Sequence, residues 1–183
     1  MSQHAPGPIA AAARRNSWFY NVIWTLELHP VVPGLPAPLT ARIHVRMEFR
    51  DIPALLKGMD HVAIVHGELD VPGVSAGETP IQAGTCHVGR TEQGIGLVAM
   101  LPFQGADGLP WLLQVDMPPA HSSATHEAEA ATVTLRRAHG PVQASGSLML
   151  YLRLFLHRLA LPQGTPGPGR SVVARLAGWW TGK

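Results

Sequence analysis

Residues 39–50 read Leu-Thr-Ala-Arg-Ile-His-Val-Arg-Met-Glu-Phe-Arg. Leu39, Ala41, Ile43, Val45, Met47 and Phe49 alternate with Thr40, Arg42, His44, Arg46, Glu48 and Arg50. Side chains of a β-strand point alternately to opposite faces, so a strict period of two defines one buried face and one wet face. The stretch is a strand whose apolar side needs covering by other strands.

Working outward, the same signals recur on both sides. Residues 18–29 are rich in aromatic and β-branched side chains and form a first strand. The proline-rich connector 29–38 runs outside the sheet, because proline cannot donate to a ladder. After residue 50, Asp51 caps a short helix with Pro53 in its first turn and Gly58 at its end. Strands follow at 61–71, with Gly67 inside it, and at 79–88, with Gly84 as a bulge or bend. Residues 94–103 and 109–117 flank a hairpin loop at 104–108, whose Asp107-Gly108 suits positive φ. A polar, alanine-rich loop spans 118–130, with at most one helical turn, and 131–139 alternates again. Residues 146–161 fit a strand by alternation and a helix by leucine content, and are read as strand passing into helix. Ser171 caps a last short helix at 172–180.

These elements make a mainly β fold: about eight strands in a curved antiparallel sheet or closed β-barrel, with one short helix and a short C-terminal helix. In build it is similar to the lipocalin (calycin) class. The organisation is a flexible arm at 1–16, one barrel-like domain at 17–161, and a linker with the terminal helix at 162–183.

Composition bounds the function. With 19 Gly and 17 Pro between short apolar runs, a helical bundle is excluded. Charged residues are 14% of the 183, so the surface is sparsely charged or partly apolar. Net charge is +2 and the basic residues form only two doublets, Arg14-Arg15 and Arg136-Arg137, too few for a nucleic-acid stripe. The single Cys86 excludes an intrachain disulfide. No secretory pattern opens the chain and no apolar run is long enough to span a membrane, so a cytoplasmic location is expected.

From Arg46 onward the order of features resembles the accessory β-domain associated with flavin-dependent sterol and alcohol oxidases of the glucose-methanol-choline class. The residues carrying it are Phe49, Asp51, Leu56, His61, Ala63, Gly67, Leu69, Ile81, Gly84, Asp107 and Gly108. The resemblance implies a barrel-like module that partners a flavin oxidoreductase supplied by another chain. The chain carries no Gly-x-Gly-x-x-Gly between strand and helix, so no flavin or other cofactor is expected here.

Ten histidines raise the question of a metal, but they lack tight ligand spacing, and no metal is expected. His61 and His66 are five apart and point to opposite faces of their strand. His61 is positioned to bond the end of the preceding helix or Asp60. Cys86, beside His87, reads as a buried, inert thiol. No nucleophile elbow is present, so no catalytic residue is assigned.

The five tryptophans either line an apolar cavity or pack an ordinary core. The strand at 61–71 has one face with Val62, Ile64, His66 and Glu68, and another with Ala63, Val65, Gly67 and Leu69. The mixed face suits a ligand cavity, so His66 and Glu68 are expected at the barrel mouth beside Trp111, with His61 nearby. The expected function is a non-catalytic module binding an apolar molecule (sterol, lipid or terpenoid) or an oxidoreductase. The alternative is a cofactor-independent isomerase or cyclase using a histidine and a carboxylate in the barrel mouth. Trp179 and Trp180 are expected to dock on their own domain, with a weak partner or membrane contact and a homo-oligomer left open.

Overall fold

The computed structural model describes residues 18–50, 61–91, 94–120 and 129–150. Nine strands occur among them: β1 (Trp18–Pro30), β2 (Leu39–Phe49), β3 (His61–Asp70), β4 (Thr79–Pro80), β5 (Gly84–Thr91), β6 (Gly94–Gln104), β7 (Pro110–Ala120), β8 (Glu129–Arg137) and β9 (Val142–Leu150). All the strand pairings are antiparallel. The order runs β2-β1-β9-β8-β7-β6-β5-β3, and β3 pairs back onto β2. The sheet is therefore an eight-stranded closed barrel in which sequence neighbours lie side by side, with β4 as a short addition against β3. Closure leaves the hydrophobic face no exterior exit and removes the long free edges of an open sheet.

β2 shows why the sequence does this. Its burial alternates along the strand, with Leu39, Ala41, Ile43, Val45, Met47 and Phe49 buried. Trp24, Leu26 and Leu28 of β1 face the same interior, as do Ala63, Val65 and Leu69 of β3. The core continues through Cys86 and Val88, Leu97 to Phe103, Trp111 to Met117, Ala131 to Leu135, and Ala144. Thr40, Arg42, His44, Arg46 and the outer residues of β3 face water, the reverse of a lipid-embedded barrel. Among the described residues no helix is long and apolar enough to cross a membrane.

Two glycines allow the strands to approach. Gly67 has φ +144°, and a Cβ there would overlap the carbonyl oxygen of His44 and lie 2.9 Å from Val45 Cα. Gly146 lies so close to β1 that a Cβ would overlap the carbonyl oxygen of Glu27. The first glycine seats β3 on β2; the second lets the last strand meet the first.

Three expectations change. The single strand expected at 79–88 is two, β4 and β5, separated by residues 81–83 with Ala83 at φ 52°. Ile81 N–H donates to Gly67 O (2.8 Å), so the chain leaves the ladder where β3 bears its glycine. Second, β7 runs on to Ala120, past the loop start expected at 118; Ala120 pairs Ile95 across a register shift. Third, the strand expected to begin at 146 begins at Val142. The expected helices at 51–58 and 172–180, the arm at 1–16 and residues 151–161 lie outside the described residues.

Candidate functional site

The barrel has two different ends. At one, four turns join the strands at 31–38, 71–83, 105–109 and 138–141. Two of them are joined, where Ala106 N–H donates to Val74 O (2.8 Å), and the 105–109 turn is closed by Gly105 N–H on Leu109 O (2.9 Å). Ser75 Oγ accepts from Val71 N–H (2.8 Å). Val71, Val74, Ile81, Phe103 and Trp111 are buried beneath these turns. Arg137 stands over the Trp111 ring (5.0 Å) and pairs with Asp107 (2.9 Å). The Asp107 carboxyl is held below its ordinary pKa, first by the Leu109 N–H (3.0 Å) and then by Arg137. Trp111 Nε1 is buried beside that carboxylate without reaching hydrogen-bond geometry, though its positive edge adds to the same pull. Gly105 is small because the Trp111 indole lies where its Cβ would be. This end is sealed.

At the other end β3 begins with His61, whose imidazole is buried and stacks on Phe49 (centroids 5.6 Å, planes 19° apart). It is the one polar side chain among the buried strand residues described. Directly below it, one row of paired positions crosses six strands: Ala63, Cys86, Ala99, Val115, Val133 and Gly146. None is larger than valine. Bulky inward side chains stand on β1 and β2 (Trp24, Leu26, Ile43, Met47 and Phe49) and, away from this row, on the same strands, among them Leu101, Phe103, Leu113, Met117 and Leu135. Across the barrel waist, then, six strands present one line of side chains no larger than valine.

The expected site residues divide. His61 and Trp111 face inward, but at opposite ends. His61 pairs across β5 and β6 to the level of Met117 on β7, and Trp111 is six residues further along that strand, about 20 Å at ~3.3 Å per residue. His66 and Glu68 do not look into the barrel. They stand on the outer face, 61% and 47% exposed. The mixed face expected to line a cavity is the outer one, because pairing with β2 turns Ala63, Val65 and Leu69 of β3 inward.

On that outer face His44 lies 3.8 Å from Glu68, and His66 3.8 Å from Glu48. Arg50 bonds Glu48 (2.9 Å) and is the main reason the Glu48 carboxyl titrates below its ordinary value. Water competes at these groups, so they make a solvated charge lattice on the outer face. No carboxylate is among the buried strand residues described, so the inner face they form does not supply the acid that the isomerase reading requires.

Cys86 is fully buried, and burial pushes its thiol up to about 12. It is inert, as the sequence suggests, and His87 points away to solvent. Among the described residues no group of three or more His, Cys, Asp or Glu is arranged to hold a metal. Trp179 and Trp180 lie outside the described residues. Sequence reading misses the small-residue row. Its signal is Ala, Cys, Ala, Val, Val and Gly at inward positions, but the alignment needs the strand register. No family model matches the chain, and neither a curated protein nor a solved structure matches it.

Proposed function

We propose that this barrel is a non-catalytic binding module that takes one apolar molecule, of sterol, fatty-acid or terpenoid class, at the His61 end. The carrying observation is the row itself: paired positions on six strands, none larger than valine, beginning directly below the one polar inner side chain described. An eight-stranded barrel interior is just wide enough to be filled by side chains or to hold one small ligand. Small residues over six strands favour the second outcome. An apolar body would rest on Ala63, Ala99 and Val133, and its polar end would meet the His61 imidazole. Apolar pockets with few orienting polar groups are the usual form of such sites. A flavin oxidoreductase that produces or consumes the bound molecule is the partner class that fits this reading.

Ala99→Leu tests it. If the waist has room, the added side chain fills it, the thermal midpoint holds or rises, and binding is lost. If the waist is already packed, overpacking destabilises by about 1–3 kcal/mol. Titration with cholesterol, oleic acid and farnesol, followed by tryptophan fluorescence, should give saturable quenching in the unmodified protein and none in Ala99→Leu. No saturable quenching by any of the three, together with a lower midpoint for Ala99→Leu, would replace the binding module with a filled structural barrel.

A further inference from the structure

The row of small residues is oblique to the barrel axis. From Gly146 it passes to Leu28 on β1 and so to Leu39 on β2. Its start, Ala63, stands opposite Phe49 on β2, one step beyond the Ile64↔Glu48 pair. One circuit of the eight strands therefore closes ten residues out of step, at position 39 rather than 49. The strands of a barrel with such a stagger are tilted, so a line of paired positions climbs as it goes round. Here it climbs from the His61 end toward the turns, by about one and a quarter residues per strand.

With that climb allowed for, the inward residues sort into levels. Near the His61 end Val65, Cys86, Ala99, Ala131 and Val45 stand round one level, with Met117 as its long, pliable member. Next toward the turns Trp24, Ile43 and Leu101 join Val115. Beyond them come Leu26, Leu69, Phe103, Leu113 and Leu135, beside the smaller Ala41 and Gly146. Side chains thus grow from level to level toward the turns, and the room that small residues leave lies in the His61 half. Val65 is four residues past His61 on β3, which is ~13 Å along the strand at ~3.3 Å per residue and roughly 10 Å along the axis once a tilt of about 35–45° is counted. That is the extended length of a chain of about eight carbons. On β6 the residue that stops it is Leu101, two places past Ala99 on the same inner face and fully buried.

We propose that the binding chamber is confined to the His61 half of the barrel, that Trp24, Ile43 and Leu101 form its floor, and that it is built for a short amphiphile rather than a sterol or a long acyl chain. The ligand class is an alcohol with a main chain of about eight carbons, which includes the monoterpenoid alcohols. Its polar end meets His61 and its tail stops on Leu101, so carbons beyond that length gain no burial. The inference rests on the binding-module reading above and makes Leu101 the residue that sets the length.

The test titrates the full chain with the straight-chain alcohols from hexanol to dodecanol and with geraniol, followed by tryptophan fluorescence, since Trp24 stands at the floor. Each methylene buried should tighten binding about fourfold, the equivalent of ~0.8 kcal/mol, up to about octanol, and each one beyond it by less than about 1.5-fold. Geraniol should bind at least as tightly as octanol. Leu101→Ala should move the break toward longer alcohols; if that variant does not fold, the series on the unmodified chain decides alone. Saturable quenching whose gain continues evenly to dodecanol would keep the binding module and overturn the length limit. A break that stays at octanol in folded Leu101→Ala would overturn the floor. No saturable quenching by any of the alcohols would remove the binding module and this inference with it.

Discussion

Gly67→Ala should be among the most damaging single-methyl changes in this barrel. Gly67 sits opposite Val45, with φ +144°. Alanine at positive φ costs about 1–2 kcal/mol by local sterics. The new Cβ would also overlap the His44 carbonyl and stand 2.9 Å from Val45 Cα. Both are backbone atoms of β2, so no side chain can swing aside. The strands must part locally, weakening about two ladder hydrogen bonds worth ~1 kcal/mol each. The sum is about 3–4 kcal/mol. At about 2–4 °C per kcal/mol for a chain this size, the midpoint falls by roughly 6–16 °C. Gly77→Ala is the control. Its φ is +84°, yet nothing lies within 4 Å of where the added methyl would stand, so only the local term applies. Thermal unfolding followed by far-ultraviolet circular dichroism should show a loss at Gly67 at least twice that at Gly77. Equal losses would refute the claim that close β2–β3 approach, rather than φ, is what requires glycine.

Val45→Asp buries an unpaired charge on the inner face and should cost about 3–5 kcal/mol, whereas Thr40→Asp on the wet face should leave the midpoint nearly unchanged; urea denaturation of the two compares them directly. Cys86 should be silent toward an aromatic disulfide reagent at pH 8 in the native protein and react fully in denaturant, because a thiol pushed up to about 12 is thiolate in only ~10⁻⁴ of molecules; stoichiometric native labelling would mean that β5 opens. Glu48→Gln removes the partner of Arg50. The Glu48 carboxyl titrates lower in the folded chain, so its contribution is present above the ordinary value of 4.5 and is lost as pH falls through the folded value. The midpoint gap between parent and variant should be level from pH 6 to 8 and should close in acid; a gap that widens in acid would reverse the assignment.

Much of the barrel is legible in the sequence because its inner face is written with a period of two. Residues 39–50, which contain β2, alternate over twelve positions without a break. On β3 the same rule is ambiguous. Val62 and Ile64 are apolar on the outer side, and Ala63 and Val65 on the inner, so both faces qualify over the first half. Only pairing with β2 settles it, by setting Gly67 against Val45. That fact is non-local, and with it goes the expected inward placement of His66 and Glu68. The break at 81–83 is hidden for a similar reason. Ala83 takes a positive φ that its residue type does not announce, because the neighbouring Ile81 is held by the Gly67 carbonyl.

The site is less legible than the fold because its signal is size, not chemistry. A catalytic centre announces itself through residues costly to bury. Among the described strand residues the inner face offers one such residue, His61, and the rest of the argument lies in what the waist lacks. Ala63, Cys86, Ala99, Val115, Val133 and Gly146 are ordinary residues in six separate strands, and only the register places them in one row. A uniformly packed barrel would alternate large and small side chains around each level. Here one row across six strands holds only small residues, while bulkier inward side chains such as Leu69, Leu101, Phe103, Leu113, Met117 and Leu135 stand above or below it on the same strands. A line of small residues leaves room only if the larger side chains around it do not reach across to fill it. Whether they do so is a question of about one side chain's volume, which is why a single added leucine at Ala99 separates a binding module from a filled barrel.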